Sequence, residues 1–508
     1  MVFVPSDEAN APAVLSNDAM SLPDLVLSGA RVIDPETELD AVRNVAVTAG
    51  VISAVSEEPL AGQRVLDVGG KVLAPGFIDL HSHAQTVTGL RLQALDGVTT
   101  ALDLESGTLN FPPRAAAEQG RPINYGFSAS WALTRMHLLS GVPLADITPV
   151  TALQHLADPA WRRPADAAEV SRIVGLLTEQ VGAGALGFGM LLGYAPESGR
   201  EEYVRIAQTA QSLDVPTYTH TRYISKEEPH TSLEGASEVI AAAAGTGAHM
   251  HFCHVNSTSA WQADQIVGML ERAQRWGLRV TTEAYPYGSG STGVGATFLA
   301  PDQLHRMGIK PSDILFLRTG EYIADVERLT ELRATEPGGT VVLRWLDEND
   351  EEQRKVLLRS LLMPDTAIAS DAMPLIHGAR MLDTEWPVPP GTLTHPRSLG
   401  CYSKVFRWLV RELGVLTLPE AVKRCTLSPA RVLEPSFPSF ARKGRIQVGA
   451  DADLVVFDPT TVSDRATSLE PWHASTGFEH VLGGGVAVVR GGELVTDALP
   501  GRAVLAGR

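Results

Sequence analysis

Short apolar runs separated by turns occur near both ends of the chain. They cover residues 25–29, 45–47, 51–55 and 65–68 near the start, and residues 446–449, 453–457 and 486–490 near the end. Short strands at such close spacing are typical of antiparallel sheets. We therefore predict that residues 23–73 and 438–508 combine into one small β-sandwich domain.

Between the two ends, apolar strands alternate with amphipathic helices. This alternation favours repeated βαβ units and a parallel sheet. Apolar residues recur at helical spacing in residues 168–181, 201–213, 233–244 and 259–276. The candidate strands are residues 77–83, 99–105, 124–130, 185–191, 216–222, 248–255, 279–286 and 366–372. Eight such strands predict a closed (β/α)₈ TIM barrel over residues 74–437.

Two segments fall outside this alternation. The gap around residues 288–365 is too long for a plain crossover, so we predict an insertion there and interpret it as a lid over the site. Residues 1–22 are predicted to form a flexible N-terminal extension. They carry the acidic pair Asp7 and Glu8 and lack the basic region and apolar core of a secretory signal. Met20 is an alternative start to Met1.

Composition narrows the classes of partner. Acidic residues number 59 against 42 basic ones, and the resulting net charge of −17 repels nucleic acid and anionic membrane surfaces. The sequence has no run of about eighteen apolar residues, which excludes a membrane-spanning helix. Cys253, Cys401 and Cys425 are too few and too far apart for a disulfide framework. These features predict a cytoplasmic protein whose partner is a small molecule.

The first candidate barrel strand ends in two histidines, His81 and His83. Because side chains alternate along a strand, both imidazoles point to the same side at its C-terminal end. The alternative is a pair of solvated histidines at a turn, and the preceding residues 74–80 disfavour it. The spacing therefore indicates a metal site.

Three further candidate ligands lie at the ends of other strands. His220 ends strand five, His254 ends strand six and Asp371 ends strand eight, where catalytic groups of this fold gather. Taken singly, each histidine is more often a hydrogen-bonded core residue. Together, four histidines and a carboxylate suit zinc. His249 and His251 lie deeper in strand six, and we assign them to packing or to hydrogen bonds behind the ligands.

Eight sequence segments carry a resemblance to a known family. They are residues 74–83, 97–100, 182–188, 219–222, 284–287, 369–371, 395–397 and 449–455. From about residue 24 onward the chain resembles the amidohydrolase superfamily, and specifically its D-aminoacylase branch. The resemblance implies a hydrolase with one or two zinc ions per subunit. Its expected reaction cleaves an N-acyl-D-amino acid, N-acyl-D-glutamate among the candidates, to a carboxylate and a free D-amino acid.

The chain departs from the family pattern at the group that completes the metal site. Many amidohydrolases use a carbamylated lysine on strand four, but no lysine occurs between Lys71 and Lys226. The D-aminoacylase branch uses a cysteine at the end of strand two, and that region has none here. We predict Glu105 as the substitute ligand that bridges two metals, with Asp103 as the alternative. The alternative is that Glu105 does not bind metal and is only a polar residue at a strand end.

The reaction and the substrate suggest roles for five side chains. Asp371 would be both a metal ligand and the carrier of the proton to the leaving amine. Arg222 and Arg397 are candidates to bind a substrate carboxylate through their planar guanidinium groups. Tyr285 and Tyr287 follow strand seven and are candidates to donate a hydrogen bond to the oxyanion.

Two other functions stay open from the sequence. One is hydrolysis of a cyclic amide or imide on the same scaffold, against which the missing strand-four lysine counts. The other is an inactive barrel that serves as a scaffold protein, which the retained histidines and Asp371 disfavour. The sequence decides neither the acyl group nor the oligomeric state, so a homo-oligomer also stays open.

Overall fold

The computed structural model of the protein describes residues 22–109, 120–147, 149–378 and 380–507. Apart from Leu22, the expected N-terminal extension at residues 1–22 lies outside the described residues. Within the described ranges, no helix has the length and apolar character that crossing a membrane requires.

Both chain ends contribute to one nine-stranded sheet. Its strands are β1 (Leu25–Asp34), β2 (Leu39–Thr48), β3 (Val51–Ser56), β4 (Val65–Asp67) and β5 (Val72–Pro75), and then β20 (Leu454–Phe457), β21 (Phe478–Gly483), β22 (Val486–Arg490) and β23 (Glu493–Leu494). The order is β23-β22-β21-β20-β5-β1-β2-β3, with β4 beside β1. Ile52 in β3 also exchanges backbone hydrogen bonds of 2.9 Å with Gly449 and Ala450, which curls the sheet over its apolar face. The predicted β-domain from both ends is confirmed, as one curled sheet.

Eight parallel strands form the central sheet. They are β6 (Phe77–Asp79), β7 (Val98–Thr108), β8 (Asn124–Ser130), β9 (Phe188–Leu191), β10 (Thr217–His220), β11 (Met250–Phe252), β12 (Val280–Ala284) and β17 (Ala367–Ile368). They follow one another around the sheet in chain order. The two ends meet where Ser82 bridges Ala372 and where the His83 backbone N–H donates to the Ala372 carbonyl at 2.8 Å. All eight predicted strands are present, and the predicted TIM barrel is confirmed.

Helices pack against the barrel strands, and the four that apolar spacing predicts are present. These four are Ala167–Ala183, Arg200–Leu213, Ser232–Thr246 and Ala263–Arg275. Reciprocal side-chain and backbone hydrogen bonds fix two of their starts, between Asp166 and Glu169 and between Thr231 and Glu234. The other helices are Val87–Leu95, Trp131–Ser140, Pro149–Gln154, Pro159–Arg162, Val255–Ser259, Leu304–Met307, Val326–Thr335, Glu351–Leu361, Arg397–Lys404, Val405–Glu412, Leu418–Cys425 and Leu427–Leu433.

An inserted subdomain occupies the chain between β12 and β17, within residues 288–365. Its strands are β13 (Ser289–Gly293), β14 (Ile314–Phe316), β15 (Glu321–Tyr322) and β16 (Thr340–Arg344), in the order β13-β16-β14-β15. Ile314, Phe316 and Val341 belong to an apolar core of its own. A short hairpin, β18 (Ile376–His377) and β19 (Arg380–Met381), follows β17.

Candidate metal centre

Six side chains at the C-terminal ends of the barrel strands meet in one cluster. These are the six predicted ligands: His81 and His83 after β6, Glu105 in β7, His220 at the end of β10, His254 after β11 and Asp371 after β17. Parallel strands bring them together because the C-terminal ends of all eight strands share one rim of the barrel. Five of the six residues are buried, and the His83 side chain is 14% exposed.

His81, His83 and Asp371 form the first group of ligand atoms. The Nε2 atoms of the two histidines lie 3.1 Å apart. Each of these nitrogens is 3.5 Å from Asp371 Oδ1. Three ligand atoms therefore surround one small space at the rim.

Glu105, His220 and His254 form the second group. Glu105 Oε1 lies 3.1 Å from His220 Nδ1 and 2.7 Å from His254 Nε2. The other oxygen, Oε2, lies 3.2 Å from His81 Nε2 and 3.9 Å from His83 Nε2. One carboxylate thus faces both groups, with one oxygen toward each.

The separations between these atoms match what a small divalent cation needs. Two ligand atoms held ~2 Å from a tetrahedral cation lie ~3.3 Å apart. Five of the six separations within the two groups range from 2.7 to 3.5 Å. Imidazole nitrogen and carboxylate oxygen are also standard ligands for zinc. The residues present therefore fit two adjacent cation sites that share Glu105.

The outer nitrogens of the first two histidines are bound by carboxylates. His81 Nδ1 lies 2.6 Å from Glu283 Oε1, and His83 Nδ1 lies 3.0 Å from Asp103 Oδ1. Such partners fix the orientation and the tautomer of a ligating imidazole, leaving Nε2 for the metal. Sequence reasoning missed Glu283. The feature that could have indicated it is a carboxylate next to the last residue of β12, a largely buried strand.

Asp103 was the alternative to Glu105 as the shared ligand, and the structure places it behind His83. Its Oδ1 atom accepts hydrogen bonds from His83 and from the Gly107 backbone N–H at 3.1 Å. Among the described residues, Asp103 belongs to neither group of ligand atoms. Glu105, not Asp103, is the carboxylate that faces both groups.

His249 and His251 lie deeper in the barrel, away from the two groups. His251 Nε2 is 3.1 Å from Glu283 Oε2, and its Nδ1 is 2.9 Å from Thr281 Oγ1. His249 Nε2 is 2.8 Å from the same hydroxyl. Both residues therefore hydrogen-bond behind the ligands.

The charges of the cluster shift the pKa values of its members. Burial lowers the pKa of His81, but attraction to Glu105 and Asp371 raises that pKa well above its usual range. Burial raises the pKa of Asp371, but the Arg397 guanidinium and His81 outweigh it and lower that pKa. A cation entering the cluster would displace histidine protons, so we expect its affinity to rise with pH.

A cavity of about 140 Å³ opens onto the cluster, and its walls are mainly apolar. Leu133 and Met136 come from the helix after β8, and Met373 comes from the segment after β17. Phe298 and Trp345 belong to the inserted subdomain. This subdomain therefore forms part of the wall beside the candidate metal centre.

Two of the four predicted substrate-binding residues, Arg397 and Tyr285, line this cavity. Arg397 Nη2 lies 2.8 Å from Asp371 Oδ2, and Arg397 Nε donates to the Asp371 carbonyl oxygen at 2.6 Å. The guanidinium lies 4.6 Å from the centre of the Tyr285 ring. Arg397 Nη1 is buried without a hydrogen-bond partner among the described residues. A buried cation with an unused N–H group thus faces the cavity.

Arg222, by contrast, lies outside the cavity and corrects the sequence prediction. Its Nε and Nη2 atoms each donate to a carboxylate oxygen of Glu238 at 2.8 Å, and its Nη1 donates to Ser198. The prediction assumed that β10 continues two residues beyond His220. The strand ends at His220, so the alternation of side chains does not reach Arg222.

Tyr287 is also absent from the residues that line the cavity. Its hydroxyl donates to the Gly400 carbonyl at 3.1 Å, and the Lys404 ammonium lies 3.8 Å from its ring centre. Strand β12 ends at Ala284, so the chain has turned away before Tyr287. The tyrosine packs against the helix Arg397–Lys404 and is not placed to contact a substrate.

Tyr194 is a cavity residue that sequence reasoning missed. Its ring centre lies 5.0 Å from that of His220, and its hydroxyl is 3.0 Å from Thr292 Oγ1 in β13. Its position shortly after the C-terminal end of β9 could have indicated it, because side chains at that end of the barrel strands form the site in this fold. Tyr194 links the barrel rim to the inserted subdomain.

Comparison with known proteins agrees with this geometry. A family model described as "Amidohydrolase family" matches residues 64–305. The chain is 30% identical to the N-acyl-D-glutamate deacylase of Alcaligenes xylosoxydans xylosoxydans, over 92% of this chain and 93% of that protein. It is 26% identical to the D-aminoacylase of the same organism, over 92% of this chain and 94% of that protein.

A solved structure shares both the fold and the length of the chain. It is the N-acyl-D-glutamate deacylase of Bordetella bronchiseptica in complex with zinc and a phosphonate inhibitor, a mimic of the tetrahedral intermediate of its reaction. The TM-score is 0.74 at 25% identity, and the match covers 96% of this chain and all of that one. The similarity therefore includes the terminal sheet as well as the barrel.

Proposed function

Because the chain belongs to the amidohydrolase family, in its D-aminoacylase branch, we propose that it hydrolyses N-acyl-D-amino acids to a carboxylate and a free D-amino acid. The observation that carries this proposal is the position of Glu105 between two groups of histidines, beside Asp371 and Arg397. The D configuration is taken from the similar proteins, which are named for N-acyl-D-glutamate and D-amino acids.

We propose zinc as the cofactor, with one or two ions per subunit. The first group would hold one ion and the second group the other, with Glu105 shared between them. The similar protein from Bordetella bronchiseptica contains zinc, which supports this choice. When bound, zinc polarises the amide carbonyl and lowers the pKa of water at the site.

Asp371 is placed to move the proton of the reaction. Its Oδ1 atom faces the first group, while its Oδ2 atom is held by Arg397. Because its pKa is lowered, Asp371 is ionised and can accept a proton from the attacking water. The same oxygen then delivers that proton to the leaving nitrogen.

Tyr285 and Arg397, which line the same cavity, would orient the substrate beside the candidate metal centre. Burial raises the pKa of the Tyr285 hydroxyl, so the phenol stays protonated and can donate to the developing oxyanion. The unused Arg397 N–H faces the cavity and can donate to the α-carboxylate of the substrate.

The side chain of the substrate would contact the apolar walls. Among the described residues that line this cavity, Arg397 is the only arginine or lysine. This composition favours an uncharged side chain over the second carboxylate of glutamate. Screening zinc-loaded protein against N-acetyl-D-leucine, N-acetyl-D-glutamate and their L enantiomers tests the proposal. Hydrolysis of cyclic imides in place of all four compounds would support the cyclic-amide function instead.

Removing a ligand should remove metal. We expect His81→Ala, His220→Ala and His254→Ala each to lower the zinc bound per subunit, because each loses an imidazole nitrogen. Chelation should abolish turnover in the wild type. Elemental analysis of dialysed protein measures the zinc, and His305→Ala is the control because His305 is exposed on the inserted subdomain. Unchanged metal and turnover in all three ligand variants would contradict the assignment.

Blocking the substrate carboxylate should slow the wild-type enzyme. We expect the methyl ester of N-acetyl-D-leucine to react about a hundredfold more slowly than the acid, because an unpaired buried charge costs about 2–5 kcal/mol. Arg397→Lys should shrink this ratio of acid to ester, since lysine lacks the planar fork. Arg222→Lys is the matched control and should keep the ratio while lowering stability, because Arg222 pairs with Glu238 outside the cavity. Equal rates for acid and ester in the wild type would exclude a carboxylate-binding role of Arg397.

We also propose that the protein works in a reducing compartment such as the cytoplasm. Cys253, Cys401 and Cys425 are all buried and free of disulfide bonds, which supports this placement.

A further inference from the structure

We call the cavity that opens onto the candidate metal centre the substrate cavity. A second cavity, of about 710 Å³, lies beside it and is lined by five arginines. Arg222 is paired with Glu238. The other four, Arg162, Arg200, Arg306 and Arg333, have no carboxylate oxygen within 4 Å in the part of the chain that the structure describes. This is unexpected in a chain with a net charge of −17, where carboxylates are in excess. We call this space the arginine cavity.

Backbone carbonyl oxygens accept hydrogen bonds from two of these arginines, Arg306 and Arg333, without cancelling their charge. Arg333 Nη1 donates to the carbonyl oxygens of Val294 and Ala296 at 2.6 and 2.7 Å. Arg306 Nη2 donates to the Glu227 carbonyl at 2.9 Å. These bonds use one nitrogen of each guanidinium, so the remaining N–H groups stay available. Arg306 and Arg333 therefore keep N–H groups for an anion, and the carboxylates that line the cavity, Glu197 and Asp302, are fewer than its five arginines.

The guanidinium groups of Arg162 and Arg333 also repel one another. Burial lowers the pKa of Arg333, and the positive charge of Arg162 lowers it further, with Asp302 opposing in part. Arg162 Nε is buried and has no hydrogen-bond partner among the described residues. Like charges held together in this way cost free energy unless an anion lies between them.

We propose that the arginine cavity binds a small oxyanion, such as a carboxylate or sulfate. Guanidinium N–H pairs match the oxygens of such groups. Arg162 and Arg200 belong to the barrel, whereas Arg306 and Arg333 belong to the inserted subdomain. An anion bound by both pairs would hold the subdomain against the barrel.

This site is coupled to the substrate cavity through shared walls. Ile224, Phe298 and Met307 line both cavities, so the two cavities adjoin along these side chains. The oxyanion has two sources that fit this geometry. It is a second carboxylate on the acyl group of the substrate, or a free anion that fixes the wall of the substrate cavity.

Calorimetric titration of the zinc-loaded full-length protein with sulfate tests the site. We expect one sulfate per subunit in the wild type, and at least tenfold weaker binding in Arg162→Gln and Arg306→Gln. At position 306, the glutamine amide can still donate a hydrogen bond to the Glu227 carbonyl. Arg162 Nε has no hydrogen bond that the substitution would remove. Arg205→Gln is the matched control, an exposed arginine of the helix Arg200–Leu213 outside the cavity. No sulfate binding in the wild type, or equal binding in all four proteins, overturns the proposal.

Kinetics distinguish the two sources and rest on the proposed deacylase function. If the oxyanion belongs to the substrate, the kcat/KM of N-succinyl-D-leucine relative to N-acetyl-D-leucine should fall about tenfold in the two cavity variants but not in Arg205→Gln. If it is a free anion, this ratio should stay constant, and sulfate should change the KM of N-acetyl-D-leucine only in wild type and Arg205→Gln. Should neither substrate be hydrolysed, the deacylase function fails while the titration still decides the anion site.

Discussion

Asp371→Asn is expected to lower kcat about 10³-fold with the fold intact, since general acid–base catalysis contributes on the order of 10² to 10⁴. The amide cannot take a proton from the attacking water, although its oxygen still faces His81 and His83. The backbone of Asp371 has a φ of 50°, a left-handed conformation that asparagine tolerates and alanine does not. The measurement is kcat for N-acetyl-D-leucine with the bound zinc determined on the same sample.

Asp365→Asn is the matched control for this change. Asp365 also has a positive φ, of 56°, but its side chain pairs with Lys423 at the surface. We expect this variant to keep the wild-type kcat. If Asp371→Asn retained kcat within tenfold of the wild type at full zinc content, another group would have to carry the proton.

The barrel and the ligand cluster are the parts of the structure that the sequence predicts best. His81 and His83 lie just beyond the end of β6, but bridges at His81 and Ser82 continue the extended pairing there, so a period of two still places both imidazoles on one side. His220, His254 and Asp371 need one further premise, that parallel strands share a C-terminal rim. Both arguments depend on local strand geometry, which is strongly patterned in this chain.

The substrate-binding residues were predicted less well because they depend on where the strands end. Arg222 and Tyr287 lie two and three residues beyond the ends of β10 and β12, where alternation no longer determines direction. Tyr194 reaches the cavity through its contact with Thr292, and the partners of Arg397 come from other segments. Such positions depend on tertiary contacts between distant segments and not on a local period.

Glu105 shows how far sequence reasoning could reach at the candidate metal centre itself. Its candidacy came from the absence of both a strand-four lysine and a strand-two cysteine, and Asp103 remained open beside it. The structure distinguishes them by direction, because Glu105 Oε1 and Oε2 face different groups whereas Asp103 lies behind His83. The role of Glu283 could not be predicted from the sequence, because it depends on a contact with His81, which lies 202 residues away in the chain.

Glu105→Ala is expected to reduce bound zinc from about two ions per subunit to one or fewer and to abolish most turnover. Glu105 supplies an oxygen to each group, so its loss leaves His220 and His254 as the only ligands described for the second site. Two imidazoles without a carboxylate fall short of the three protein ligands that catalytic zinc sites use. The first group keeps three ligand atoms and should retain its ion with lower affinity. Elemental analysis after dialysis against a fixed concentration of free zinc measures the stoichiometry.

Asp103→Asn provides the control that separates a shared ligand from an orienting one. Asp103 touches only the outer nitrogen of His83, so its loss should weaken zinc affinity by about 10- to 100-fold without changing the number of ions at saturation. A drop to one ion in Asp103→Asn but not in Glu105→Ala would move the shared ligand to Asp103. Equal stoichiometry of one ion in the wild type and both variants would instead indicate a mononuclear centre, in which Glu105 only positions His220 and His254 through its 3.1 and 2.7 Å contacts.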